Sequence, residues 1–210
     1  MKPTAKELKL QALAKQRARD IQKKNNLFMR SSPAKKRVMI AQDIIEEIRA
    51  NKYIANTGSY IGNVTGTENF NVHMSKRMDV QEHFDQIESC SVCALGACLM
   101  SATKFANHIK FSDILDKRVL DQINRPRQLL TSLFDPEQLL LIEIAFERDI
   151  SSGHKFARGI RYQRGFGKLG RFDDDKQEKA LKFGNKQAYE DRRMVAIMRN
   201  IIRNKGTFIP

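Results

Sequence analysis

The sequence predicts a mainly α-helical single domain with a small β-hairpin or irregular loop insertion and basic arms. Three observations carry this. Apolar residues recur at helical spacing through most of residues 35–150 and again after residue 176, whereas β-favouring residues set among glycines are confined to residues 52–78. Charge, in turn, is divided into three blocks. Residues 1–37 hold 12 Lys/Arg against 2 Asp/Glu, residues 38–152 hold 11 against 16, and residues 153–210 hold 15 against 6. A mildly acidic middle between basic ends puts positive charge where it can meet a polyanion, either nucleic acid or the acidic face of a protein partner.

A chain of 210 residues fits one core domain with appendages. The organisation expected is a basic N-terminal helix and linker (1–34), a helical core (35–150), a basic Gly/Arg/aromatic loop (151–175) and a C-terminal helix packing on the core (176–210). No run of 18 apolar residues occurs and no apolar segment follows Met1-Lys2-Pro3-Thr4, so neither a membrane span nor a signal peptide is expected. Cys90, Cys93 and Cys98 fall within nine residues, which rules out a long-range disulfide framework and points to a reducing, cytoplasmic setting.

Thr4 with Glu7 three residues later has the form of a capping box and starts a helix over residues 5–24. Leu10, Leu13, Ala14, Ala18 and Ile21 make only a thin apolar stripe, too little to anchor it firmly. Asn25-Asn26 and Ser31-Ser32-Pro33 mark residues 25–33 as a linker. Over residues 35–51, Ala41, Ile44, Ile45 and Ile48 form an inner face, with Asp43, Glu46, Glu47 and Arg49 outside. Residues 89–108 read as one buried helix whose small residues, among them Gly96, Ala97 and Ser101, let another helix come close. Ser112 caps a helix that Asn124 and Pro126 end, and a short helix follows over 127–134. Asp135-Pro136-Glu137 is an N-cap with proline at the first helical position; it launches residues 138–148, apolar nearly all round and expected at the centre of the core. Asp173-Asp174-Asp175 opens a last helix, 176–204, with Tyr189, Val195, Ile197, Met198, Ile201 and Ile202 inward, and Gly206 ends it.

Two chemistries compete for the cysteines. As metal ligands, Cys90, Cys93 and Cys98 with His83 or His108 lack a second half-motif, so no metal and no cofactor is expected. As a nucleophile, Cys90 or Cys93 at a helix start would gain thiolate character, with His108, His154, His73 or His83 as base, yet no nucleophile motif surrounds either. Packing as small apolar residues in a helix interface is the favoured reading. No His-x-x-x-His spacing occurs, and the three aspartates read as a helix-start cluster facing water.

The residues assigned to partner contact are basic. In the first arm they are Lys15, Arg17, Arg19, Lys23, Lys24, Lys35, Lys36 and Arg37. In the second, Lys155, Arg158, Arg161, Arg164, Lys168 and Arg171 alternate with Phe156, Tyr162 and Phe166, so guanidinium forks can take phosphates while rings stack on unpaired bases. A membrane surface is the weakest partner, because the stripe over residues 5–24 has no Trp or Phe.

Five segments carry a family resemblance: Ile40-Ala41-Gln42-Asp43-Ile44-Ile45; residues 50–58 from Ala50 to Gly58; Cys90-Ser91-Val92-Cys93-Ala94-Leu95-Gly96-Ala97; residues 134–147 from Phe134 to Glu147; and residues 196–210, with Asn200-Ile201-Ile202-Arg203-Asn204-Lys205-Gly206-Thr207-Phe208-Ile209-Pro210 at the close. In this order they resemble a set of small proteins without assigned activity, found in bacteriophages and in bacterial genomes carrying phage DNA. The resemblance implies a phage or prophage context, in host cytoplasm or virion, and no reaction. The function expected is therefore a non-enzymatic accessory or structural protein that contacts nucleic acid or anchors in a virion or homo-oligomeric assembly. The alternative is a cysteine-dependent hydrolase or transferase using Cys90 or Cys93.

Overall fold

The computed structural model describes residues 4–58, 61–66, 84, 87–106, 124–149 and 173–210. Among them are seven helices and one small sheet: α1 (Ala5–Arg30), α2 (Pro33–Arg49), β1 (Tyr53–Ala55), β2 (Ile61–Thr65), β3 (Ser89–Val92), α3 (Ala94–Ala106), α4 (Asn124–Leu133), α5 (Pro136–Glu147), α6 (Asp174–Asn185) and α7 (Glu190–Arg203). The mainly α fold with a small β insertion is as the periodicity predicts. The helix expected at 112–123 and the basic arm of 154–171 lie outside the described residues.

Two helices form the centre. Residues 94–103 of α3 and residues 139–146 of α5 are buried without interruption, and α3 packs against α1, α2, α4, α5 and β3. α5 lies between α3 and the closing pair α6 and α7. Asp135 caps α5 as expected, accepting from the Glu137 N–H at 2.8 Å, with Pro136 at the first helical position. The approach of α6 to α5 depends on Gly184: a Cβ there would sit 2.0 Å from the Ala145 carbonyl oxygen.

Several boundaries differ from expectation. Residues 25–33 are not a linker, because α1 continues through Asn25-Asn26 to Arg30, drawn down by Phe28, which is buried against Phe105 in a stacked pair at 4.9 Å. The break is only Ser31-Ser32, and the Ser32 hydroxyl accepts from the Lys35 N–H to start α2. The cysteine segment is not one helix. Residues 89–92 pair as β3, Cys93 is the junction, and α3 begins at Ala94. Nor do β1 and β2 form a hairpin, since β3 lies between them, parallel to β1 and antiparallel to β2. The helix expected over 127–134 begins earlier, at Asn124, and ends at Leu133. The closing helix is two, α6 and α7, and Tyr189 at their junction is 63% exposed instead of inward. Asp43, expected outside, is buried and faces Lys104.

The C-terminal segment is tied down by amide side chains. Gln138 makes a reciprocal pair with the Phe208 backbone, receiving its N–H at 2.6 Å and donating to its carbonyl at 3.2 Å. Asn200 does the same for Ile209, at 2.9 and 2.7 Å. Gly206 takes φ +99° where an L side chain is strained, and its N–H closes α7 on the Ile201 carbonyl. Hence Asn200, Gly206 and Phe208 of the closing motif have structural duties.

Candidate polyanion surface and thiol–carboxylate cluster

α1 is held at one end. Among its described side chains only Phe28 is buried, while Lys9, Lys15, Arg17, Arg19, Lys23, Lys24 and Arg30 are exposed. Leu8, Leu13, Leu27 and Met29 are about half exposed as well. Asp20 is the one acid among those side chains, and the Gln16 amide already donates to it at 3.1 Å. Lys24 reaches Glu46 of α2 at 3.7 Å, a pair open to solvent that contributes little to stability. A helix of 26 residues is about 39 Å long at 1.5 Å per residue, so much of α1 stands clear of the core with cations around it. The only Phe in α1, Phe28, is buried in the core and faces no outer surface.

The first arm's remaining cations divide. Lys35 is exposed, and the Lys36 ammonium lies 5.3 Å over the Phe28 ring. Arg37 is a structural clamp: its Nε donates to the Gly206 carbonyl at 2.5 Å and its Nη1 to the Leu133 carbonyl at 2.6 Å. It ties the C-terminal segment to the end of α4, which is a structural duty. Lys155, Arg158, Arg161, Arg164, Lys168, Arg171, Phe156, Tyr162 and Phe166 lie outside the described residues, as do His73, His83, His108 and His154.

All three cysteines are free and buried. Burial pushes the Cys90 and Cys98 thiols up to about 12, and it pushes Cys93 well above the ordinary thiol range, with the Glu143 charge adding to the effect. At neutral pH each is therefore a thiol, the form that does not attack. Cys93 differs from the others in position. It follows β3, its carbonyl accepts the Ala97 N–H at 2.9 Å, and its Sγ accepts the Gly96 N–H at 3.5 Å, so the sulfur caps α3.

Two glutamates of α5 meet that sulfur. Ligand atoms of Cys93, Glu143 and Glu147 all lie within 4.8 Å of one another. Glu147 is positioned by the turn after β1, where the Gly58 N–H donates to both its carboxylate oxygens at 3.2 and 3.0 Å. Nearby, Asp191 of α7 accepts the outward Ala55 N–H at 3.0 Å, and Arg193, fully buried, donates from Nη1 to the Phe146 carbonyl. Three of the segments that carry the resemblance, 50–58, 90–97 and 134–147, thus converge on one place. Reasoning from cysteine and histidine spacing missed the two acids. The available signal was an acid pair one helical turn apart on a helix otherwise apolar from Leu139 onward, a costly placement unless the charges are partnered.

No helix among the described residues is long and apolar enough to cross a membrane. No protein-family model matches this chain, and no curated protein or solved structure is significantly similar to it.

Proposed function

We propose that this chain is a non-enzymatic accessory or structural protein of the phage type that holds nucleic acid through its basic N-terminal helix. The observation that supports this is the exposure of α1: six cations from Lys9 to Lys24 on a helix in which Phe28 alone is buried among the described side chains. A helix kept only for stability would bury a stripe, whereas this one leaves Leu8 and Leu13 in water and spends its surface on charge. Lysine and arginine spread around a rod neutralise phosphates whatever the base sequence, so the contact is with backbone and not with base edges. By its sequence, the segment 154–171 would add further cations and rings that stack on unpaired bases.

The cysteine-hydrolase alternative has less in its favour, because burial keeps Cys90 and Cys93 as thiols. The test is DNA and RNA binding by the full chain between about 50 and 200 mM salt, compared with the Lys15→Ala/Arg17→Ala/Arg19→Ala variant. Each lost phosphate contact should take roughly 0.9 off the slope of log affinity against log salt. A slope near zero, or one the variant leaves unchanged, refutes the reading; retention of an acidic protein in place of nucleic acid would do so too.

A further inference from the structure

Two pairs of carboxylates, each spaced i,i+4, face α3 from two helices. On α2, Asp43 and Glu47 converge on Lys104, whose ammonium lies 2.8 Å from one and 2.5 Å from the other. The cation that lets two acids sit together in a mostly buried place is there part of the chain. On α5, Glu143 and Glu147 converge on the opposite end of α3, but the residue that meets them is Cys93. This second pair presents a sulfur and two carboxylates, three atoms of the kind that bind a metal ion, with the buried Arg193 close enough to favour the charge on Glu147.

We propose that Cys93, Glu143 and Glu147 bind a divalent ion of the zinc class. Sulfur with two carboxylate oxygens excludes Mg²⁺ and Ca²⁺, which take oxygen alone, and suits Zn²⁺ or Co²⁺. Zinc needs about 2.3 Å to sulfur and 2.0–2.2 Å to oxygen, so atoms already within 4.8 Å of one another close on a common centre by side-chain rotation. The backbone under each ligand is fixed: Cys93 by the β3–α3 junction, Glu143 by α5, and Glu147 by α5 and the Gly58 N–H. That N–H to a ligating carboxylate is the outer contact such sites use to orient a ligand. Cys93 and Glu143 are 1% and 5% exposed while Glu147 is partly open, which gives the ion a way in. Binding exchanges the thiol proton for the metal, Cys–SH plus M²⁺ giving Cys–S–M⁺ and H⁺. Water takes the next position. The inference is independent of the polyanion reading and stands or falls without it.

The test uses the reduced full chain, stripped with chelator and dialysed, then titrated with Co²⁺ as an optical probe and back-titrated with Zn²⁺. One ion per chain with thiolate-to-cobalt charge-transfer absorption is expected, displaced by Zn²⁺. Cys93→Ala should abolish the absorption, Glu147→Gln should weaken binding at least tenfold, and Cys98→Ala should leave both in place. Glu147 is partly exposed, so its variant reads the site even if Glu143→Gln does not fold. Absence of the charge-transfer band in the folded wild type, or its persistence in Cys93→Ala, would overturn the proposal.

Discussion

α1 and α5 are both helices, and they are held by opposite means. α5 buries eight successive side chains from Leu139 to Phe146, so it exists because its surroundings close on every face of it. α1 buries one described side chain and depends on its own backbone bonds and helix-favouring Lys, Arg, Gln, Leu and Ala. The contrast separates what the core needs from what is left over for a partner. Substitutions in α5 should be read out as stability, and substitutions along the exposed length of α1 as binding.

The largest effect belongs to α5. Phe146→Ala removes a fully buried ring that also lies beside the Arg193 guanidinium, 5.6 Å from its centroid, and should cost about 3–5 kcal/mol in denaturant unfolding. Phe28→Ala tests the one point where the two regimes meet. Losing the stack on Phe105 should lower stability by up to about 3 kcal/mol and increase amide exchange through the last turns of α1, with exchange in α5 little changed. Equal deprotection of α5 would show that α1 is integral to the core.

The next effect is a pH dependence set by the buried thiols. Their folded-state values are raised, to about 12 for Cys90 and Cys98 against an ordinary 9.0, so above pH 9 the unfolded chain loses thiol protons that the folded chain keeps. Stability is therefore complete below pH 9 and falls as pH rises toward 12, by at most about 1.4 kcal/mol per pH unit for each thiol. Urea midpoints between pH 7 and 10, taken in chelator, check it; a flat profile would show the thiols to be solvated. The smallest effect on stability is that of Lys15→Ala/Arg17→Ala/Arg19→Ala, expected within about 0.5 kcal/mol of wild type.

The same contrast explains which parts of the structure were legible in the sequence. α5 was readable from Asp135-Pro136 and an unbroken apolar run, and α2 from its isoleucines, because local signals and burial agree there. The end of α1 was misread because Asn25-Asn26 are weak helix formers, and the tertiary pull of Phe28 overrides them. β3 was hidden in a run of small residues that reads as helix, since a strand of four residues offers too few positions for a period to show. At the end of α6, Gly184 packs where a Cβ would meet the Ala145 carbonyl oxygen, a long-range contact that periodicity does not show. As for the thiol–carboxylate cluster, Cys93 was visible as a candidate but its company was not, because Glu143 and Glu147 come from a helix 50 residues further along the chain.

What most directly tests the division between core and arm is one paired measurement on Lys15→Ala/Arg17→Ala/Arg19→Ala: melting temperature, and the salt slope of nucleic-acid binding. An unchanged melt with a slope reduced by roughly three units makes α1 the contact surface. An unchanged slope would contradict it, whatever the melt shows.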